Sequence, residues 1–253
     1  MSEPIDNSQM PLIVHLRELR KRLVAAVIAV AVAFVVTYTF SEELYALLAK
    51  PVLAALPEDN EFLAFTGVIE PFYTYLKVAL TAAIVLASPV IFYEIWAFAA
   101  PGLLSNEKRW FFPIVLVSVC FFLIGVSFAY FVVFPIAFKF LLSYAAAELR
   151  PILSMGLYFS FATKMLIAFG AVFEMPIFVL VLSRLGLVTS TKLIGWWKYA
   201  LLFSVIVGAL LTPPDVFSQS LMAGPIMVLY VISIAVAYFF GKKKKKDSNE
   251  DEE

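Results

Sequence analysis

Charge is scarce in this 253-residue chain: Asp, Glu, Lys and Arg together make up 15% of it, against about 25% in soluble domains. There is one cysteine, Cys120, which excludes an internal disulfide framework and a thiolate metal cluster. There is one histidine, His15, so no membrane-embedded Ser–His pair or HExxH metal site can be assembled. One aspartate at a membrane end cannot make a two-aspartate site. No glycine-rich phosphate loop is present, which argues against nucleotide hydrolysis. The chain is therefore not read as an enzyme, and no metal or other cofactor is expected. No internal repeat is visible either, which weighs against an inverted-repeat transporter.

Apolar residues fill the place of the missing charge. They make up 62% of the chain, mean hydropathy is +0.93, and there are 25 Phe and 14 Pro. Such an excess cannot be hidden inside one soluble core of this length. A cytosolic enzyme, a disordered chain and a nucleic-acid binder are excluded, and the lipid bilayer becomes a partner.

A bilayer core of roughly 30 Å takes about 20 helical residues to cross. Six uncharged or nearly uncharged runs qualify as spans: Leu23 to Ser41, Val78 to Tyr93, Phe111 to Phe138, Leu157 to Ser183, Tyr199 to Pro214 and Val216 to Gly241. The second extends outward to Phe72 if Lys77 snorkels. The fourth contains Lys164 and Glu174, and the fifth is short at 16 residues. The runs are continuous and lack two-residue alternation, so helices are expected and not strands. Prolines 89, 113, 135, 176 and 225 lie within or at the ends of spans and predict kinks. The fold expected is an all-α integral membrane protein of six kinked, unequal transmembrane helices forming a concave bundle.

Fourteen of the 19 Lys and Arg fall in the N-terminal arm, the loops after spans two and four, and the tail. The positive-inside rule then places both termini in the cytoplasm. The loop from Glu42 to Glu70 holds six carboxylates and one lysine and should lie outside. Residues 1–22 form a cytoplasmic arm, 23–240 the membrane domain, and 241–253 a charged, disordered tail. The first run is too long, and too far from the N-terminus, for a cleaved signal.

Polar residues inside or beside the spans are the functional candidates. Glu174 lies well inside span four. It reads either as a carboxyl satisfied by a neighbour or as a polar spot facing a cavity. Asp215 suits the start of span six as a helix cap, and Gln219, four residues on, extends the polar patch. On the inner side Glu18 sits among Arg17, Arg20, Lys21 and Arg22, and Glu107 precedes Lys108 and Arg109. Each has a local reading, as an ion pair or a helix-start carboxylate. Together, with Phe98 nearby, they could bind two guanidinium groups bidentately.

Five segments carry a family resemblance: HLRELRKRL (15–23), SPVIFYEIWAFAAPGLLSNEKR (88–109), FAYFVVFPIAFKF (128–140), AFGAVFEMPI (168–177) and LLTPPDVFSQSLMAGP (210–225). In this order, over six spans, they make the chain resemble the TatC family of the twin-arginine protein translocase. The resemblance implies a glove-shaped six-helix receptor in the bacterial cytoplasmic membrane. Such a receptor binds twin-arginine signal peptides and works with TatA- and TatB-type single-span subunits. It self-associates in a larger complex and takes part in export of folded proteins driven by the protonmotive force. By the same resemblance Glu107, Phe98 and Glu18 belong to the signal-peptide site, and Arg20 and Pro51 to arm and outer-loop motifs. Glu174 matches the buried glutamate of span four, and Asp215 and Gln219 match an outer patch. Relatives often carry a glutamate where this chain has Val231. The competing readings are a proton-coupled small-solute transporter using Glu174 and a scaffold for partner helices.

Overall fold

The computed structural model describes residues 10–56, 62–65, 67–99, 111–143, 152–212 and 215–241. Glu107, the prolines at 213 and 214, the first nine residues of the arm and the tail from 242 lie outside them. The described chain is almost wholly helical. In order it forms α1 (Met10–Thr39), α2 (Ser41–Leu53), β1 (Leu63–Ala64), α3 (Glu70–Ala99), α4 (Phe111–Phe128), a π-helical turn (Ala129–Val133) and α5 (Phe134–Ser143). It continues through β2 (Leu153–Ser154), α6 (Met155–Phe173), α7 (Met175–Arg184), α8 (Ser190–Gly195), α9 (Trp197–Leu211) and α10 (Val216–Phe240).

Five helical segments are long and apolar enough to cross a membrane: Ile13–Thr39, Glu70–Ala99, Phe111–Ser143, Met155–Arg184 and Val216–Phe240. The protein is therefore a multi-pass membrane protein, and its many exposed leucines, valines and phenylalanines are its lipid-facing surface. The fifth apolar run forms Trp197–Leu211, 15 residues, which covers about 22 Å at 1.5 Å per residue. It falls short of a core of roughly 30 Å, in keeping with its short sequence run.

The chain divides into two compact units, one ending at Gly170 and the other beginning at Ala171. In the first, α1 and α3 run antiparallel. Ala33 packs against Ala83 and Ala87, with Ala29 beside them. Small residues four apart on both helices let the backbones approach closely, the usual means of helix association where lipid removes any hydrophobic drive. Nearer the far end of the pair, the Thr37 hydroxyl donates to the Ala79 carbonyl at 2.8 Å.

Prolines inside helices free backbone groups, and hydroxyls recover those groups. Pro89 inside α3 cannot donate to the carbonyl of Val85 four residues back, and Ser88 Oγ donates to that oxygen at 2.7 Å. Pro51 inside α2 likewise releases the carbonyl of Leu47, which accepts from Tyr130 Oη at 2.8 Å. Tyr158 Oη donates to the neighbouring Leu48 carbonyl at 2.5 Å. Pro51 thus opens one carbonyl of α2 to a tyrosine from later in the chain, and a second tyrosine bonds the carbonyl beside it. Upstream of Pro135 the helix widens into its π-turn, with Phe134 N–H reaching back to Ala129.

In the second unit α10 packs on α7, α8 and α9. Leu193, Tyr230 and Ala237 form a buried cluster with Met175, Val179 and Ala200 against it, and Tyr230 Oη donates to the Leu193 carbonyl at 2.6 Å.

Candidate functional site

The antiparallel pairing of α1 and α3 brings the arm beside the last turns of α3. On α1, His15, Glu18 and Arg22 follow one another at three and four residues, which puts them on one helix face. On α3, Glu94 and Phe98 are four apart and do the same. The two faces meet. The rings of His15 and Phe98 stack with centroids 4.3 Å apart. Arg22 Nη1 donates to Glu94 Oε2 at 3.0 Å, while Nη2 lies 3.5 Å from Glu18 Oε1. The side chains of Arg22, Glu18 and Glu94 are 29%, 32% and 14% exposed.

These contacts are unequal. An exposed i,i+4 pair such as Glu18–Arg22 contributes about 0.3–0.5 kcal/mol. The Arg22–Glu94 bond is short, charge-assisted and better shielded, in the class worth about 1.5–3 kcal/mol. Glu94 therefore holds the arm to α3, and Glu18 joins a guanidinium already fixed. Arg22 Nε is buried without a hydrogen-bond partner, so the guanidinium is shared between two carboxylates and not saturated by them. The end of α3 is itself anchored to α4: Trp96 Nε1 donates to Ser118 Oγ at 2.8 Å, Phe92 meets Phe122 edge-on at 5.5 Å, and Tyr93 meets Phe111 at the same distance.

The structure thus brings Glu18 and Phe98 into one cluster. Glu107, read from sequence as their partner, lies outside the described residues. Arg20 is exposed on α1, away from the Glu94 contact. Pro51 belongs to α2, where it has the carbonyl-releasing role given above.

Sequence reading missed Glu94 as a site residue and placed His15 only as an interfacial arm residue. A signal for Glu94 existed. It ends the uncharged run Val78–Tyr93 and stands four residues before Phe98, so the two share a face. What no periodicity supplies is the register of α1 on α3, which selects Arg22 as its partner.

Glu174 is 1% exposed. It is the single turn residue between α6 and α7, with Pro176 in the first turn that follows. Its own N–H reaches Ala171 at 3.2 Å, and its carbonyl accepts from Ile177 and Phe178. The expected kink of span four is therefore a break centred on the glutamate. An apolar cleft in the second unit is lined by Met175, Trp196, Tyr199, Phe203, Ile226 and Tyr230, and Glu174 is not among its lining residues.

Asp215 caps α10, its Oδ1 accepting from the Ser218 N–H at 2.7 Å. Gln219 Nε2 donates to the Val205 carbonyl of α9 at 3.0 Å. Opposite lies Gly208, where an added Cβ would come 3.0 Å from the Gln219 carbonyl oxygen. The polar patch of α9 and α10 is thus partly used in closing their own hairpin.

Comparison with known proteins is consistent across sequence and structure. The family model described as Sec-independent protein translocase protein (TatC) matches residues 14–225. A protein of Desulforapulum autotrophicum named Sec-independent protein translocase protein TatC is 47% identical over 245 residues, covering 97% of this chain and 90% of the relative. The protein of the same name from Escherichia coli K12 is 40% identical over 238 residues, covering 94% and 92%. The crystal structure of a twin-arginine translocase receptor, TatC, superposes with a TM-score of 0.80 at 40% identity, covering 88% of this chain and 97% of that one.

Proposed function

We infer, from a chain that belongs to the TatC family of Sec-independent protein translocases, that this protein is the receptor subunit of a twin-arginine translocase. It binds twin-arginine signal peptides and takes part in export of folded proteins driven by the protonmotive force. The observation that carries the site assignment is the guanidinium of Arg22 held between Glu18 and Glu94 beside the stacked Phe98. Two carboxylates share one guanidinium there, which leaves carboxylate acceptor capacity for a further donor. A second fixed cation arriving on a peptide is favoured there, and Phe98 offers apolar contact to the residue beside it. Glu107, nine residues after Phe98 in the chain, supplies the second acidic arm of the site.

The distribution of Lys and Arg places this end of α1 and α3, with both termini, on the cytoplasmic side of the inner membrane. Signal peptides reach it there. TatA- and TatB-type single-span subunits and further copies of the chain complete the translocase. Glu174, Asp215 and Gln219 are the polar positions of the membrane domain, and a partner helix meeting them would add to the bonds that Asp215 and Gln219 make within the chain and not replace them. The proton-coupled transporter that would use Glu174 is not favoured by any observation, and the relatives named above are protein translocases.

Binding of a labelled twin-arginine signal peptide to the purified protein tests this reading. Glu18→Ala and Glu107→Ala should each weaken binding about tenfold to a hundredfold, the equivalent of 1.5–3 kcal/mol for a charge-assisted contact. A twin-lysine peptide, which cannot bind bidentately, should bind the parent more weakly. Parent-like binding by both variants would sink the assignment.

A further inference from the structure

At the other end of the α1–α3 pair, a short parallel strand pairing (Leu63 with Leu153, Ala64 with Ser154) joins two connecting segments. Glu70, the first residue of α3, locks it. Its Oε1 accepts from Ser154 Oγ at 2.8 Å and from the Gly156 N–H at 2.5 Å, and its Oε2 accepts from the Gly67 N–H at 3.2 Å. A Cβ at residue 156 would fall 2.6 Å from Glu70 Oε1, so glycine there lets the carboxylate in. Glu70 is the one ionisable carboxylate among the described residues from 62 to 73, and the clasp turns it inward.

What faces outward is apolar. Val68 is 94% exposed, and Phe62, Phe65, Ile69, Ile152 and Leu157 are all exposed with it. In water such a rim would be an anomaly, since monomeric proteins rarely leave contiguous apolar patches bare. It runs without interruption into Phe72 and Tyr73, exposed in the first turn of α3, on a helix that crosses the membrane.

Helix rise gives its depth. The Arg22–Glu94 ion pair marks one edge of the hydrocarbon, because charges are expelled from its centre. Twenty residues of helix, about 30 Å, lead from Glu94 back to Thr74 along α3, and α1 runs beside it from Arg22 to its end at Thr39. The other edge therefore passes just inside Tyr73, and the rim lies within the headgroup layer, which adds roughly 5–7 Å on each side.

The geometry points to a membrane-seated rim: Phe62, Phe65, Val68, Ile69 and Ile152 enter the headgroup–acyl boundary of the leaflet on the clasp side, and their partner is glycerophospholipid. The seat fixes the depth of the first turns of α3 and α6. A protein partner is the less favoured occupant, because among the described residues the rim offers it no free charge and it lies at lipid depth. This rests on the multi-pass membrane character of the chain and not on the signal-peptide reading.

Spin labelling of the full chain in phosphatidylethanolamine–phosphatidylglycerol vesicles tests it. Cys120, the single native cysteine and itself exposed, is replaced by Ser. Labels are then placed by Val68→Cys and Phe65→Cys, with Leu86→Cys, exposed midway along α3, as the deep reference. The ratio of oxygen to nickel-chelate collisions should shift at both rim sites away from the aqueous value and toward that of Leu86→Cys. A ratio equal to that of free label in buffer would place the rim in water and overturn the proposal. An immobilised spectrum closed to both reagents would mean that protein covers it, and would overturn the proposal equally.

Discussion

The arm end of the first unit and the α9–α10 hairpin of the second use similar polar residues in opposite ways. At the arm end, Glu18, Arg22 and Glu94 meet across two helices, part-exposed, with one guanidinium nitrogen left without a partner. In the hairpin, Asp215 and Gln219 bond to backbone within their own pair of helices. Side-chain charges at a helix end near water can be exchanged for those of a ligand at modest cost. Backbone hydrogen bonds made within the membrane cannot be given up without leaving an unsatisfied group. The comparison therefore assigns recognition to the arm end and chain geometry to the hairpin.

The largest effect that would break this contrast is expected from Arg22→Met. Glu94 is left part-buried without its guanidinium, and thermal unfolding in detergent should show a loss of roughly 2–3 kcal/mol. No change in midpoint would mean that Glu94 does not hold the arm. Next, Gly208→Val should lower stability by roughly 1–3 kcal/mol, because even its Cβ presses on backbone of α10. Parent-like unfolding would show a looser hairpin. Asp215→Ala should cost about 1 kcal/mol through the lost cap, while Asp215→Asn, which caps as well, should restore most of it. Failure of Asn to do so would show that the charge and not the cap matters. Across these four variants, signal-peptide affinity should change most for Arg22→Met, which alters the charge of the recognition cluster, and least for Asp215→Asn.

Much of the candidate site was legible before any coordinates. The pairing of Glu18 with Arg22 and the capping role of Asp215 follow from residue type and position, because each depends on neighbours within one turn, whereas Phe98 meets His15, 83 residues earlier. Pro176 likewise announced the break at Glu174. Glu94 was not legible as a site residue. Its meaning depends on Arg22, 72 residues earlier, and that pairing needs the register of two helices. The clasp of Glu70 with Ser154 and Gly156 escaped notice for the same reason. So did the use of prolines 51 and 89: the freed carbonyls were predictable, but Tyr130 as the donor to one of them was not.

By itself the sequence determined that this polypeptide lives in a bilayer and is helical there, because long apolar runs admit no other solvent, and in lipid every backbone group must be bonded within its own segment. It also marked where helices bend, through proline. Tertiary structure alone decided which faces meet. Sliding two apolar helices past one another costs little in lipid, so their register is set by a few specific contacts: alanine on alanine, a threonine to a carbonyl, and one arginine between two glutamates.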